Sequence, residues 1–328
     1  MRACLATHVS HDDPLAALEV TERPDPDPPE GWETVEVRAA SLNHHDVFTL
    51  RGVATPAENL PIVLGTDAAG VTPDGREVVC HAVVPNPGVD RPGEAPLDET
   101  DLFGAMSLLS EVHDGAQAER VAVPRRNLVD KPPELSFVEA ACLPTAWLTA
   151  YRMLFVRARA RGGDRVLVQG AGGGVATAAI VLGAAAGLRV YATSRSAAKR
   201  ERAVELGASG AVEPGARLPE QVDVVVETVG EATFEHSLKS LVPGGRVVVA
   251  GATSGYFPPA HLHRVFAKQL EILGSTMGTR RELEGLLRML VATGARPVVD
   301  SVHALDDAAG AYRRMIAGEL VGKAVLTP

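Results

Sequence analysis

Cysteine is scarce in this chain: three in 328 residues, Cys4, Cys80 and Cys142, far apart and without a CxxC pair. Such usage excludes a disulfide framework and a clustered zinc site. Positive charge is also in short supply, with 32 Lys and Arg against 41 Asp and Glu and a formal net charge of −9. Nucleic acid and anionic membrane, which both demand a basic surface, are therefore not expected as partners. No apolar run approaches the ~20 residues that cross a bilayer. Met1-Arg2-Ala3-Cys4-Leu5 leads straight into polar residues instead of a signal-peptide core, so a cytoplasmic protein is expected. There is no internal repeat. What remains is an ordinary globular composition, 46% hydrophobic and 22% charged, in a chain long enough for two domains.

The most informative stretch is Val166 to Arg195, VLVQGAGGGVATAAIVLGAAAGLRVYATSR. It reads as an apolar strand, a glycine-rich turn, a small-residue helix starting near Val175 and closed by Gly187, and a second apolar strand. Gly170, Ala171, Gly172, Gly173, Gly174 and Val175 form a turn where backbone can approach a ligand without side chains in the way. The following helix start offers unpaired N–H groups and the positive end of its dipole, so a diphosphate fits there. The spacing is irregular: Ala171, Gly173 and Ala176 stand where three glycines are the usual form.

About 20 residues beyond Gly174, at the end of the next strand, a dinucleotide's ribose is read. A carboxylate there would accept the hydroxyls of NAD. Here Thr193, Ser194 and Arg195 occupy the position, with Lys199 one helical turn on. A charge-assisted hydrogen bond is worth about 1.5–3 kcal/mol, so one good phosphate contact favours NADPH over NADH by roughly 10- to 150-fold. NADPH is the expected cofactor.

Residues 1 to about 125 read as short strands with turns between them. Trp32 to Ala39 alternates apolar and charged residues, the period of a half-buried strand. Residues 85 to 119, rich in proline and acid at first, read as an irregular excursion of the kind that forms lids or stays disordered, before strand resumes over Gln117 to Pro124. Ser136 with Glu139 predicts a capped helix, interrupted by Pro144 and resumed over Thr145 to Val156. From Val166 onward strands and helices alternate, which predicts a parallel sheet with helices on both faces. Thr279 with Glu282 predicts a second capped helix, ended by Gly294, and Lys323 to Leu326 a final strand.

The β-rich beginning, the glycine-rich unit, the PGGRVVVAG segment and the GKAVLTP ending together resemble the medium-chain dehydrogenase/reductase superfamily over nearly the whole chain. Within it SLNHHDVFTLRG, LPTAWLTAYRML and ILGSTMGTRREL are most similar to the zinc-type alcohol dehydrogenase-like and quinone oxidoreductase-like branch. The resemblance implies an α/β protein: a GroES-like β-barrel catalytic domain over residues 1–129, completed by 266–328, and a doubly wound Rossmann NADP-binding domain over 130–265, with the cofactor cleft between them. In zinc-dependent members a cysteine, a histidine followed by a glutamate, and a second cysteine hold a catalytic metal. Those positions fall at Asn43, at Thr66 and Asp67, and near Thr145. Neutral amide and hydroxyl oxygens are poor zinc ligands, so a zinc-free enzyme is expected. Quinones and conjugated alkenes accept hydride without a Lewis acid more readily than isolated ketones do. A quinone or enoyl reductase is thus the leading expectation. A carbonyl reductase or alcohol dehydrogenase, and a non-catalytic NADPH-binding redox sensor, are the alternatives.

The resemblance also places single residues. Asn43 comes beside the nicotinamide, to orient it or donate to a substrate carbonyl. His45 aligns with a proton-relaying hydroxyl, and an imidazole suits that task; Asp46 orients its neighbours. On an extended segment His44 and His45 would face opposite ways. Thr149 matches a contact to the nicotinamide amide, Gly251, Ala252 and Thr253 follow a strand end along the cofactor, and Lys323 matches a basic residue near the pyrophosphate. Tyr151 is assigned to the core, and His261 and His263, lacking a third ligand, to a helix surface. Gln269 to Gly274 resembles an edge strand through which relatives form homodimers.

Overall fold

The computed structural model describes residues 1–53, 55–85 and 106–328. They form two compact units: Met1–Thr145 with Gly278–Ala292 and Val299–Pro328, and Ala146–Met277 with Thr293–Val298.

The first unit is mainly antiparallel. Its strands are β1 (Arg2–Ala6), β2 (Leu18–Glu22), β3 (Trp32–Ser41), β4 (Ile62–Val63), β5 (Asp67–Val71), β6 (Glu77–Cys80), β7 (Val83–Pro85), β8 (Met106–Leu108), β9 (Arg120–Pro124) and β10 (Leu128–Asp130), with helices α1 (His44–Leu50) and α2 (Phe137–Ala140). The order β2-β1-β4 makes a three-stranded sheet, and β7-β8 a two-stranded one. The alternation expected from Trp32 is real: Val35 and Val37 are buried between exposed Glu36 and Arg38. They join Ala68, Val78, Val121 and Val123 in one core. β10 pairs with β6 and the segment through Thr145 stays with this unit, so the first boundary lies beyond the expected 129/130. Of the expected 85–119 excursion, residues 86–105 lie outside the described residues. The resumed strand starts at Arg120 rather than Gln117.

A helical run that Pro144 does not break ends the first unit's segment and leads into the second unit at Ala146. π-helical turns at Leu143–Trp147 and Arg152–Arg157 flank α3 (Leu148–Tyr151), and the wider hydrogen bonding accommodates a residue that has no N–H to donate. Tyr151, expected in the core, is only half-buried and stacks on Phe155 with ring centroids 5.2 Å apart. There follow β11 (Arg165–Val168), α4 (Gly174–Ala185), β12 (Arg189–Thr193), α5 (Ala197–Glu205), β13 (Gly210–Val212), β14 (Val222–Glu227), α6 (Phe234–Ser240), β15 (Leu241–Val249), α7 (Leu262–Ala267) and β16 (Glu271–Gly274). The sheet is parallel throughout, in the order β13-β12-β11-β14-β15-β16. This is the doubly wound order, with its reversal beside β11. Leu167, Tyr191, Val225 and Val247 pack with Phe234 and Leu238 of α6 on one face. On the other, α4 approaches so closely that a Cβ on Gly183 would lie 2.7 Å from Val190 Cγ2. β16 adds to β15, so residues 266–277, expected in the first domain, stay with the second.

The chain then returns to the first unit with α8 (Arg280–Thr293), β17 (Val299–Ala304), α9 (Ala308–Ile316) and β18 (Lys323–Thr327). Both expected capping boxes form: Ser136 Oγ accepts from Glu139 N at 3.2 Å, and Thr279 Oγ1 from Glu282 N at 3.1 Å. Gly294, at φ +72°, ends α8. β18 lies between β17 and β3, completing the sheet β10-β6-β5-β3-β18-β17, with β9 also paired to β3. No helix among the described residues is long and apolar enough to cross a membrane.

Candidate functional site

The carboxyl ends of parallel strands share one edge of the sheet, and there the second unit gathers most of the residues singled out for a dinucleotide. Gly170, at φ +94°, turns the chain after β11, and its N–H donates to Thr193 Oγ1 at 3.0 Å. Thr193 in turn donates to Gln169 Oε1 at 2.9 Å, tying the ends of β11 and β12 together. Ala171 and Gly172 lead to Gly173, the N-cap of the 12-residue helix α4. No side chain caps α4, no acid stands in its first turn, and a Cβ built on Gly173 meets nothing within 4 Å. Among the described residues, no side chain therefore occupies the start of α4, whose first-turn N–H groups lack intrahelical acceptors. An anion of diphosphate size fits the residues present.

Ser194 and Arg195 follow β12. The Ser194 carbonyl accepts from Arg200 Nη1 at 2.7 Å, and Arg195 is exposed. Ser196 Oγ caps α5 by accepting from Lys199 N. Residues 193–196 include no carboxylate, though Glu213 Oε1 lies 3.6 Å from Arg200 Nη2. At the end of β14, buried Glu227 accepts from Val229 N, Gly230 N, Thr233 Oγ1 and Ser237 Oγ, which fixes the turn carrying Thr228. Gly251, Ala252 and Thr253 follow β15 and run beside Thr228, whose carbonyl accepts from Thr253 N at 3.4 Å. A Cβ on Gly251 would lie 3.1 Å from that same oxygen. Thr149 is buried in α3, which packs along α4. His261 and His263 are both exposed, at the start of α7.

The remaining candidates belong to the first unit. Lys323 does not stand free for a pyrophosphate. It is 3% exposed, and its Nζ donates to Leu42 O at 2.6 Å, Asn43 Oδ1 at 2.5 Å and Asp67 Oδ2 at 3.3 Å. An ammonium has three donors, and all three are engaged. Asn43 is likewise committed: Nδ2 donates to Thr66 Oγ1 at 3.0 Å and to Asp67 Oδ2 at 2.8 Å, leaving no hydrogen for a substrate carbonyl. Thr66 and Thr145 hydroxyls lie 2.9 Å apart. The positions aligned with zinc ligands are therefore close together, as the resemblance implied, but they bond to each other and to Lys323. Their donors are amide, hydroxyl and one carboxylate, with no imidazole or thiolate among them. Catalytic zinc needs three good ligands around an open position, and these residues do not fit it. Cys142, nearby in the chain, stays a thiol: burial pushes its pKa up to about 12.

His44 and His45 are not on an extended segment; they open α1. The helix turns His44 outward and His45 inward, where Nε2 lies 2.9 Å from Glu111 Oε1. Glu111 is itself held, its Oε2 accepting from Leu108 N at 2.9 Å. Among the described residues, His45 Nδ1 is buried without a partner. Asp46 is fully buried; its Oδ2 accepts from Asn43 N at 2.8 Å, closing the start of α1, and from Gln117 Nε2 at 3.0 Å. Burial pushes its carboxyl above the usual range, against the hydrogen bond from Asn43 N, which lowers it. Asp46 is an orienting residue. Nothing local in the sequence pointed to Glu111 or Gln117, which come from a distant stretch.

Two family profiles match the chain: an alcohol dehydrogenase GroES-like domain over residues 29–133 and a zinc-binding dehydrogenase over residues 174–292. An acryloyl-coenzyme A reductase of Metallosphaera sedula is 32% identical over 94% of this chain and 96% of its own. The chain belongs to the medium-chain dehydrogenase/reductase superfamily. Its fold is accordingly a GroES-like domain joined to a Rossmann domain, and its class is oxidoreductase. Two solved medium-chain structures superpose on it: an NAD-dependent alcohol dehydrogenase, TM-score 0.89 and 36% identity with both chains fully covered, and a cobalt- and zinc-bound thermostable alcohol dehydrogenase from Pyrobaculum aerophilum, TM-score 0.86 and 30% identity over 100% of this chain and 99% of that one. The structures similar to this chain thus include a metal-bound one.

Proposed function

We propose that this chain is an NADPH-dependent reductase of activated double bonds, enoyl thioesters or enones first and quinones second, and that it works without zinc. The observation that carries this reading is the Asn43 cluster: amide, hydroxyl and carboxylate oxygens engaged with one another and with Lys323. A substrate for such a site must not need a Lewis acid to stabilise an alkoxide, and a conjugated acceptor spreads the arriving charge over its own carbonyl. The acryloyl-coenzyme A reductase relative supports a thioester as that acceptor. The nicotinamide, when bound, supplies the hydride. For the chain's own part, Gly170 to Val175 and the start of α4 hold the diphosphate, while Ser194, Arg195 and Lys199 read the 2′-phosphate. Thr149 and Gly251 to Thr253 line the cofactor. His45, oriented by Glu111, or water supplies the proton that completes reduction.

Chelator-treated protein should consume NADPH with an enoyl thioester or a quinone, leave a simple ketone unreduced, and prefer NADPH to NADH. Turnover of simple alcohols or ketones only after zinc is added would replace this reading with an alcohol dehydrogenase. NADPH binding with no reduction across a broad acceptor panel would replace it with a redox sensor. We also propose a homodimer formed along β16, the last strand in the order of the parallel sheet, on which Ile272 is exposed.

A further inference from the structure

Three strands bring the cluster around Lys323 together. β18 pairs antiparallel with β3 so that Val325 faces Ser41, and two residues further along Lys323 comes beside Asn43. β3 pairs with β5 so that Ser41 faces Asp67. One ammonium, one amide and one carboxylate therefore meet at a single end of the sheet, none of them more than 7% exposed.

We infer that the Lys323 ammonium is the resident cation of this cluster: it balances Asp67 and fixes the Asn43 amide, holding from within the fold the charge position that a divalent metal would otherwise take. The charge count supports this. Asp67 is completely buried, and Lys323 at 3.3 Å neutralises it, so an added divalent cation would leave the cluster strongly positive. The polarity of Asn43 supports it independently. Oδ1 accepts from Lys323 while both Nδ2 hydrogens go to Thr66 and Asp67. Turning Oδ1 toward a metal would set the amide N–H₂ against the ammonium, donor against donor. Asp67 Oδ2 is crowded as well, accepting from Ser41 Oγ at 2.7 Å in addition to Asn43 and Lys323. Among the described residues of the cluster, only Asp67 Oδ1 lacks a partner, and one oxygen does not make a zinc site. Lys323 is thus a positioning residue, acting through Asn43 and Asp67.

The inference stands on these contacts and not on the substrate, though it shares zinc independence with the proposed function. The test joins a metal titration to a double-mutant cycle in the full chain. Metal-free wild type is titrated with Zn²⁺ by calorimetry and with Co²⁺ by its visible absorption, and melting is compared for wild type, Lys323→Met, Asp67→Asn and the double variant. Wild type should take up neither metal stoichiometrically. Each single substitution should lower Tm by several degrees, and the double variant should melt no lower than the worse single, because the two charges leave together. Recovery of the double variant when Lys323→Met alone does not fold counts equally in favour. One equivalent of Zn²⁺ bound by wild type and lost in Asp67→Asn, or Tm losses that simply add, would overturn it. If neither Lys323 variant folds, the wild-type and Asp67→Asn titrations decide: one equivalent of zinc bound by wild type and lost in Asp67→Asn sinks the inference, and its absence upholds it. Zinc-free thioester turnover with additive Tm losses would remove this inference and leave the proposed function standing. Strong coupling in a protein that reduces no activated alkene would do the reverse.

Discussion

His81 is fully buried, with Nε2 donating to Gly278 O at 2.8 Å and Nδ1 lacking any partner among the described residues. Burial pushes its pKa down from 6.5 to about 4, since a charged imidazole there has no water to solvate it. The unfolded chain binds this proton below pH ~6.5 and the folded chain does not. Stability from this group is therefore complete above pH ~6.5 and is lost as pH falls toward 4, by up to about 3 kcal/mol. Denaturant titrations from neutral pH to pH 4 should show that acid limb in wild type and a flatter one in His81→Gln. Equal slopes would place the acid sensitivity on other groups. The position was invisible in the sequence, where His81 carried no motif: its partner carbonyl is 197 residues away.

At the scale of elements, the loop between β12 and α5 is the one proposed to read the dinucleotide's ribose. It is held at both ends, by Ser194 N donating to Val212 O and by the Ser196 cap on α5, so Arg195 projects from a fixed backbone. Arg195→Ala should raise KM for NADPH roughly 10- to 150-fold, the worth of one charge-assisted contact, with little change for NADH. Equal effects on both cofactors would mean that the 2′-phosphate is read elsewhere. This element was legible beforehand because its signals are local: glycines in the turn, small residues in α4, and a missing carboxylate at the next strand end. The helix α1 was less legible. Seven residues starting with two histidines lack a long apolar period, and the closure that starts the helix, Asp46 on Asn43 N, shows only in three dimensions.

For the whole molecule, an edge strand that carries an exposed apolar side chain is a liability unless something covers it. Ile272 is 46% exposed. Light scattering should give twice the 34.4 kDa chain mass for wild type. Ile272→Asp, on the edge strand itself, should return the single-chain mass while the protein stays folded. A wild type of single-chain mass would refute the homodimer. The two-unit division also belongs to this scale. The expected boundaries missed because β10 reaches back to β6 and β16 adds to β15, and pairing of that range leaves no mark at the point of crossing.

What the sequence determined alone is what neighbouring residues decide between themselves: the alternation of Val35 and Val37, the capping boxes at Ser136 and Thr279, the order of strands and helices from Val166, and the glycine turn before α4. It also excluded thiolate and imidazole from the positions aligned with metal ligands, since that is a matter of residue type. Tertiary structure decided the use made of those positions. Lys323 matched a basic residue near the pyrophosphate and is instead buried against Asn43 and Asp67, because the register of β18 on β3 and of β3 on β5 joins residues more than 250 positions apart. Side-chain charge is written in the chain. Which charge balances which is settled only when the strands pair, because desolvation leaves a buried carboxylate dependent on whatever cation the fold brings to it.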